Sequence, residues 1–471
     1  MRKSIFLFFL CAMMLPVAVG ADKLSPGGEI FQPESESLTL NVKAAHNSEK
    51  IFWRFEWLAE TPAFYHDAVV RRDGKWHRVG RSPWGYEPDF MYEDRLTFLV
   101  DKGGVRGFKN NACYITCHDG QRFMEDVVSK EDSMDIIGKD DMRKYIIESR
   151  NGSQWWDAPL AAVKSEEEIM ILRENGIFLD FPHWRAHRSN PAGYADDQYV
   201  LEYRNPDSGK GPFYTNWDDE LNQPIYMFDS EVMGSVALNW EALQNKEFKQ
   251  DEFKYAMIEG KNIVPFDPDY DWQEGDTIPR RILRVPEGSR GSTPAKGLYN
   301  EATMMWTLEM KRRLDTQSPL DDHALVKGLT YNMGFAVHKN ATTGRYHYVS
   351  HNKTVGIGVP ADIVVHEFEG STLDWDSIEN SEIYMFYPGQ VTWEWLTSEE
   401  HPGFTAIRQD NRSCSSCHGD SKEAAEKLTQ ASMAHEVGAF GRKTSSVMVI
   451  MFILAVVLGG TVFVVNQSKR N

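Results

Sequence analysis

The stretch Ile51-Phe52-Trp53-Arg54-Phe55-Glu56-Trp57 sets Ile51, Trp53, Phe55 and Trp57 at every second position. Successive side chains of a strand point to opposite faces, so this segment predicts a strand with one large apolar face. Upstream, Leu38-Thr39-Leu40-Asn41-Val42 alternates in the same way. Downstream, Arg71-Arg72-Asp73-Gly74-Lys75-Trp76 carries the Asp-Gly pair of a tight hairpin, and Arg95 to Val100 is another short strand. The strand pattern continues at Tyr199 to Tyr203, Ile282 to Val285, Met304 to Met310, Thr330 to His338 and His347 to Ser350. Ser165 to Asn175 is predicted helical, with Glu166, Glu167 and Glu168 in its first turn. Gly288 to Gly297 reads as a Gly/Ser/Pro loop. Many short strands separated by long loops predict a mainly β chain folded as an antiparallel β-sandwich. From Leu396 onward the texture changes, and Glu423 to Met433 suits a helix in a small C-terminal segment.

The 471 residues leave room for more than one domain. At 41% hydrophobic, 25% charged and 12% aromatic, the chain has the apolar content of a folded, β-rich body. A net charge of -18 argues against nucleic acid, which needs clustered Lys and Arg; it fits either solubility or docking to a basic partner. There is no Gly-rich phosphate loop, no Gly-x-Ser-x-Gly elbow and no His-Glu-x-x-His, so no catalytic constellation is expected. Asp196-Asp197 and Asp321-Asp322 fit paired acids or a calcium site, although adjacent carboxylates are more often caps or turns.

The two ends predict export and anchoring. Arg2 and Lys3 precede an apolar run from Ile5 to Val19, and Val19-Gly20-Ala21 supplies small residues for a signal peptidase. Residues 1–21 are therefore expected to be a cleaved signal, with an uncleaved anchor as the alternative. Val447 to Val465 is nineteen residues without a charge. At 1.5 Å per residue it extends ~28 Å, enough to cross a bilayer core. The expected division is a signal at 1–21, a β-sandwich body at 22–395 and a small C-terminal segment at 396–445. A transmembrane helix at 446–466 and a cytoplasmic tail at 467–471 follow. The body then faces the periplasm from the inner membrane.

Five cysteines are present, and Cys11 leaves with the signal. Cys414-Ser415-Ser416-Cys417-His418 is the c-type haem attachment pattern. Two thiols must reach the two vinyl groups on one edge of the porphyrin while the adjacent imidazole turns under the ring to bind iron. Cys113-Tyr114-Ile115-Thr116-Cys117-His118 has one residue more between its cysteines. A local disulfide competes there, because the compartment is oxidising. Haem is favoured by the histidine that again follows the second cysteine, and no cysteine is left over if both pairs hold haem. A zinc site using all four would leave both histidines unexplained. Two covalent haem c groups are thus expected, with His118 and His418 as proximal ligands.

Several stretches resemble the ethylbenzene-dehydrogenase-type haem-binding domain, also found as the haem subunit of dimethyl-sulfoxide-reductase-family enzymes. They are Leu38 to Trp57, Glu93 to Asp101, Asn111 to His118, His183 to Asp197, Ala295-Lys296-Gly297, Trp306-Thr307-Leu308 and Gly334 to His338. The resemblance covers roughly Glu29 to Gly358, and the tract His183-Trp184-Arg185-Ala186-His187-Arg188-Ser189-Asn190-Pro191-Ala192-Gly193-Tyr194-Ala195-Asp196-Asp197 is its most specific part. It implies a β-sandwich holding one haem and working in electron transfer outside the cytoplasm. Covalent-haem members carry the longer cysteine spacing seen at Cys113 and Cys117. The molybdenum-enzyme subunits use Met and Lys ligands to a non-covalent haem, and this chain departs from that pattern.

A low-spin electron carrier needs a second axial ligand on each iron. For the first haem His183 leads, because it lies in the family tract, with His66 and His187 as alternatives. For the second, His401 stands thirteen residues before Cys414, in a His-Pro-Gly stretch that covalent-haem relatives tend to show. His435 and Met433 remain open there. Arg185 and Arg188 suit haem propionates, or the surface. The expected function is a membrane-anchored di-haem cytochrome exchanging electrons with a quinol-oxidising complex or other cytochromes. A haem-bearing subunit of a periplasmic molybdenum oxidoreductase and a haem-based gas sensor are the alternatives.

Overall fold

A computed structural model describes residues 37–79, 91–116, 144–151, 163–244, 255–339, 347–370 and 372–386. The chain divides into two compact units, Met1–Gly389 and Gln390–Asn471. The second lies wholly outside the described residues, and with it the expected C-terminal haem segment and membrane helix. Among the described residues no helix is long and apolar enough to cross a membrane.

The first unit is mainly β, and most of its strand pairs are antiparallel. In chain order the strands are β1 (Ser37–His46), β2 (Lys50–Leu58), β3 (Ala68–Arg72), β4 (Lys75–Val79), β5 (Arg95–Asp101), β6 (Leu179–Asp180), β7 (His183–Arg185), β8 (Gln198–Val200) and β9 (Arg204–Pro206). They continue with β10 (Phe213–Thr215), β11 (Tyr226–Phe228), β12 (Leu238–Asn239), β13 (Met257–Ile258), β14 (Ile263–Pro265), β15 (Asp276–Pro279) and β16 (Arg281–Leu283). The last are β17 (Ala295–Asn300), β18 (Met305–Arg313), β19 (Thr330–His338), β20 (Tyr348–Ser350), β21 (Lys353–Ile357), β22 (Ile363–Glu367) and β23 (Ser381–Phe386).

Fourteen of these strands form one sheet that folds on itself. One half runs β17-β18-β2-β1, and the other runs β19-β5-β6-β8-β9 with β7 also on β5. Two ribbons join the halves. Strand β1 pairs along one edge with β23 at Ser37–Val42 and with β22 at Ala45 and His46. Strand β19 pairs with β21 at Thr330–Met333 and with β20 at Ala336 and Val337. Strands β21 and β22 pair with each other, and so do β20 and β23.

The apolar faces of the two halves meet. On β2, Ile51, Trp53, Phe55 and Trp57 are all buried, as their spacing predicts. The Phe55 ring lies 5.8 Å from Phe98 of β5 and 6.2 Å from Phe335 of β19. Burial of each such side chain contributes about 1.5–3 kcal/mol. Phe52 points the other way and is covered by Phe368 at 5.5 Å. The smaller sheets β12-β15-β3-β4, β10-β16-β13 and β11-β14 contribute Val69, Val70, Ile278, Ile282 and Phe228 to the same core cluster. Between β3 and β4, Asp73 and Gly74 have φ of 51° and 69°, which is the tight hairpin that Asp-Gly predicts.

Three strand pairs are parallel, contrary to a purely antiparallel expectation: β1 with β22, β21 with β22 and β13 with β16. Strands β21 and β22 are joined by residues 358–362 alone, so the chain has to arch back tightly. Gly356 permits this, because a Cβ there would lie 2.2 Å from the Val359 carbonyl oxygen. The expected Gly288–Gly297 loop also changes at its end. Gly288–Gly291 is a 3-10 turn, but Ala295, Lys296 and Gly297 belong to β17. Gly297 is there because the Trp184 indole occupies the place of its side chain; a Cβ would stand 2.3 Å from that ring. Asn190 completes the contact: its Oδ1 accepts from Gly297 N at 2.7 Å and from Trp184 Nε1 at 3.1 Å, and its Nδ2 donates to Gly297 O at 3.0 Å.

Candidate functional site

Strand β5 carries the site. Its inward residues Leu96, Phe98 and Val100 join the core, so Arg95, Thr97 and Leu99 face outward. Register extends that outer face across its neighbours. Thr97 stands between Ala336 of β19 and His183 of β7, and Arg95 stands between His338 and Arg185. Leu99 faces Gly334. A second apolar cluster covers this face and contains Leu99, Phe108, Ile146, Phe178, Ala336, Val349 and Cys113.

Cys113 reaches the cluster on a 3-10 turn, Ala112–Thr116, that follows the short helix Phe108–Asn111. Within the turn, Thr116 Oγ1 donates to Cys113 O at 2.8 Å and accepts from Lys144 Nζ at 2.9 Å. Gly334 sets the depth of the approach: a Cβ on it would be 2.9 Å from Cys113 Sγ and 2.9 Å from Ala112 Cβ.

His183 lies on the same outer face, 2% exposed, and its Nε2 has no hydrogen-bond partner. Ala336 and His183 are two strand spacings apart, about 10 Å. Burial, then the Arg185, Arg95 and Arg204 guanidinium groups, hold the His183 ring well below its ordinary pKa, so it is neutral. Arg185 Nη2 is 3.0 Å from His183 Nδ1 and can only donate. As placed, the neutral ring therefore carries its proton on Nε2. Metal ligation through Nε2 requires the proton to move to Nδ1 and Arg185 to rely on Asp196, which already accepts from its Nη1 at 2.6 Å. Subject to that rearrangement, a buried and unpartnered imidazole nitrogen on the face that also holds Cys113 fits an axial haem ligand.

His66 and His187 are brought to each other. His66 N–H donates to His187 Nδ1 at 2.9 Å, and both rings are buried. His187 N–H and Arg188 N–H donate to Glu93 Oε2 at 2.7 and 2.8 Å. The Arg188 guanidinium pairs with the same carboxylate. Burial raises Glu93, but the Arg188, His187 and Arg185 charges outweigh it and leave the carboxyl below its usual range. Neither Arg185 nor Arg188 is a surface group, contrary to one of the two expectations for them. Cys117, His118, His401, Cys414, Cys417, His418, Met433 and His435 lie outside the described residues.

Two histidines near the site had not been singled out as candidate ligands. The His338 ring is 6.5 Å from His183 and stacks on His347 at 4.4 Å and 19°. Arg95 Nη2 donates to His338 Nδ1 at 2.7 Å. A signal for His338 existed: alternation along Thr330 to His338 puts Gly334, Ala336 and His338 on one face. His347 reaches it only through β19–β20 pairing, which spacing does not reveal.

Comparison with known proteins agrees with this architecture. Over 80 residues the chain is 38% identical to cytochrome c-552 of Stutzerimonas stutzeri, an alignment spanning 17% of this chain and 26% of that protein. The chain thus matches about a quarter of that relative's length. The family model for ethylbenzene dehydrogenase matches residues 20–350, most of the chain and eleven of the fourteen strands of the large sheet, and the chain belongs to that family.

Proposed function

We propose that this protein is a membrane-anchored di-haem c-type cytochrome that passes electrons between redox partners outside the cytoplasm. The ethylbenzene dehydrogenase family and the likeness to a cytochrome c support a haem-related electron-transfer role. The finer reading rests on the two cysteine-pair histidine segments at 113–118 and 414–418. The observation that carries it is the placing of Cys113 and the bare His183 Nε2 on one outer face of the sheet. Haem supplies a one-electron iron couple when bound. Cys113 and Cys117 would tether it, His118 and His183 would ligate it, and the apolar cluster around Leu99 and Ala336 would keep water from the ring. His418 and His401 would serve the second haem. Quinol-oxidising complexes and other cytochromes are the proposed partners. The resemblance to the haem subunits of dimethyl-sulfoxide-reductase-family enzymes favours one other reading, a haem-bearing subunit assembled with a catalytic molybdenum chain. Intact mass of the mature protein, with haem staining of a denaturing gel, tests the stoichiometry. Two haem additions are expected; one addition, with Cys113 and Cys117 joined as a disulfide, overturns the first site. A fixed-composition complex after gentle solubilisation would favour the subunit reading.

A further inference from the structure

The two acidic pairs of the sequence, Asp196-Asp197 and Asp321-Asp322, are split by the fold. Asp196 is neutralised by Arg185 and Arg290, and Asp321 by Arg173. Their neighbours Asp197 and Asp322 turn instead toward each other and toward Asp207, which follows β9. All three are buried, and each offers a carboxylate oxygen within 4.8 Å of the other two. Oxygens bound across a calcium ion at 2.3–2.6 Å are at most about 5 Å apart, so the spacing suits one shared ion.

The surroundings leave the charge unbalanced. Arg312 of β18 donates to Asp180 Oδ2 at 2.7 Å and to Asp322 Oδ1 at 3.2 Å. Ser292 Oγ donates to Asp197 Oδ2 at 2.5 Å. Among the described residues one guanidinium therefore faces the four carboxylates of Asp180, Asp197, Asp207 and Asp322. A second, independent feature points to a ligand: Asp207 is 3% exposed, and neither of its oxygens accepts a hydrogen bond. Asp197 Oδ1, Asp322 Oδ2 and Asp180 Oδ1 are bare as well. Buried carboxylate oxygens without donors are costly unless protons or a cation compensate them. Burial, then repulsion among the carboxylates, pushes Asp197 and Asp207 well above the ordinary carboxylate range and Asp322 to about 7.

We infer that Asp197, Asp207 and Asp322 form a buried calcium site, with Asp180 beside it. All the donors are hard carboxylate oxygens, with no thiolate or imidazole among them, which selects calcium over zinc or copper. The site ties the β6–β8–β9 edge to the segment between β18 and β19. It thereby clamps one half of the folded sheet to the other, one residue along the chain from Asp196, whose backbone bridges to His183.

The test uses the full-length purified protein with its haems. After chelator treatment and gel filtration, calcium is added back, and bound metal and thermal midpoint are measured beside a magnesium control. The expected result is about one calcium per chain and a midpoint several degrees higher with calcium than with magnesium. Asp207→Asn should abolish both effects, and Asp322→Asn serves if the first variant does not fold. An ion too tight for the chelator still appears in metal analysis of the untreated protein. Absence of bound calcium before and after addition, with an unchanged midpoint, overturns the inference. So does an Asp207→Asn variant that binds calcium like the wild type.

Discussion

The outer face of β5 turns on single atoms. His183 Nδ1 accepts from Arg185 and its Nε2 is bare, so the ring can ligate iron only after a proton moves between its nitrogens. If it does ligate, His183→Ala should open one haem to carbon monoxide and shift its potential, with both thioether attachments retained. An unchanged six-coordinate spectrum would make His66 or His187 the next candidate. His401→Ala should act on the other haem alone, with His435 and Met433 next in line there. His187 permits a separate test by pH. Burial is the main cause that lowers its pKa to about 4; Glu93 opposes the shift and Arg188 adds to it. In the unfolded chain the ring titrates near about 6.5. Between those values only the unfolded chain takes up the proton. The stability is therefore fully present above pH about 6.5, falls by about 1.4 kcal/mol per pH unit on acidification, and levels off below about 4. His187→Asn keeps an acceptor for His66 N–H and removes the titration. Chemical denaturation across that range should show a shallower slope by that amount, and an equal slope in both proteins would refute the assignment.

At the scale of elements, period-two alternation was enough to find β2, β5 and β19, because each has one face in a large apolar core. The acidic first turn of Glu166, Glu167 and Glu168 found the helix Glu166–Glu174, whose Ser165 and Glu168 form the reciprocal N-terminal cap. The alternation did not predict how the pieces meet. Nothing local to Gly297 says that Trp184 fills the space beside it, so the glycine looked like part of a loop. Nothing local to Gly334 says that the Cys113 turn presses on β19. Both contacts are testable. Gly297→Ala puts a methyl into the Trp184 ring and should cost about 1–3 kcal/mol in denaturant unfolding. Trp184→Phe in that background should recover part of the loss, and strictly additive losses would argue against the contact. Gly334→Val should lift the cysteine turn off β19. Haem content at Cys113 and Cys117 should then fall while the Cys414 site stays loaded, as read by peptide mass. Equal loading of both would separate β19 from haem attachment.

For the whole molecule, the sheet explains how a chain of net charge -18 holds together around buried cations. Arg185, Arg188 and Arg312 each pair with a buried carboxylate, and the cluster of Asp180, Asp197, Asp207 and Asp322 is the place where buried negative charge exceeds the cation beside it. How this body is held in the cell depends on segments outside the described residues. Thioether attachment needs reduced cysteines and free haem on the far side of the cytoplasmic membrane, so the proposed function requires both cysteine motifs to be exported. On that proposal the basic start and apolar run to Val19 would supply the export signal, and Val447 to Val465 would supply a stop. Lys469 and Arg470 favour a cytoplasmic end, while Arg442 and Lys443 on the other flank pull against it; on the same proposal the export signal would decide the orientation. A protease added to intact spheroplasts should therefore digest everything before about Val447 and leave a C-terminal tag protected. Both haem-stained fragments should vanish together, since both motifs lie on the same side. Protection of the Cys113 fragment would place the body in the cytoplasm and remove the basis for covalent haem at either motif. Digestion of the tag with the body would leave the haem reading standing and overturn the anchor alone.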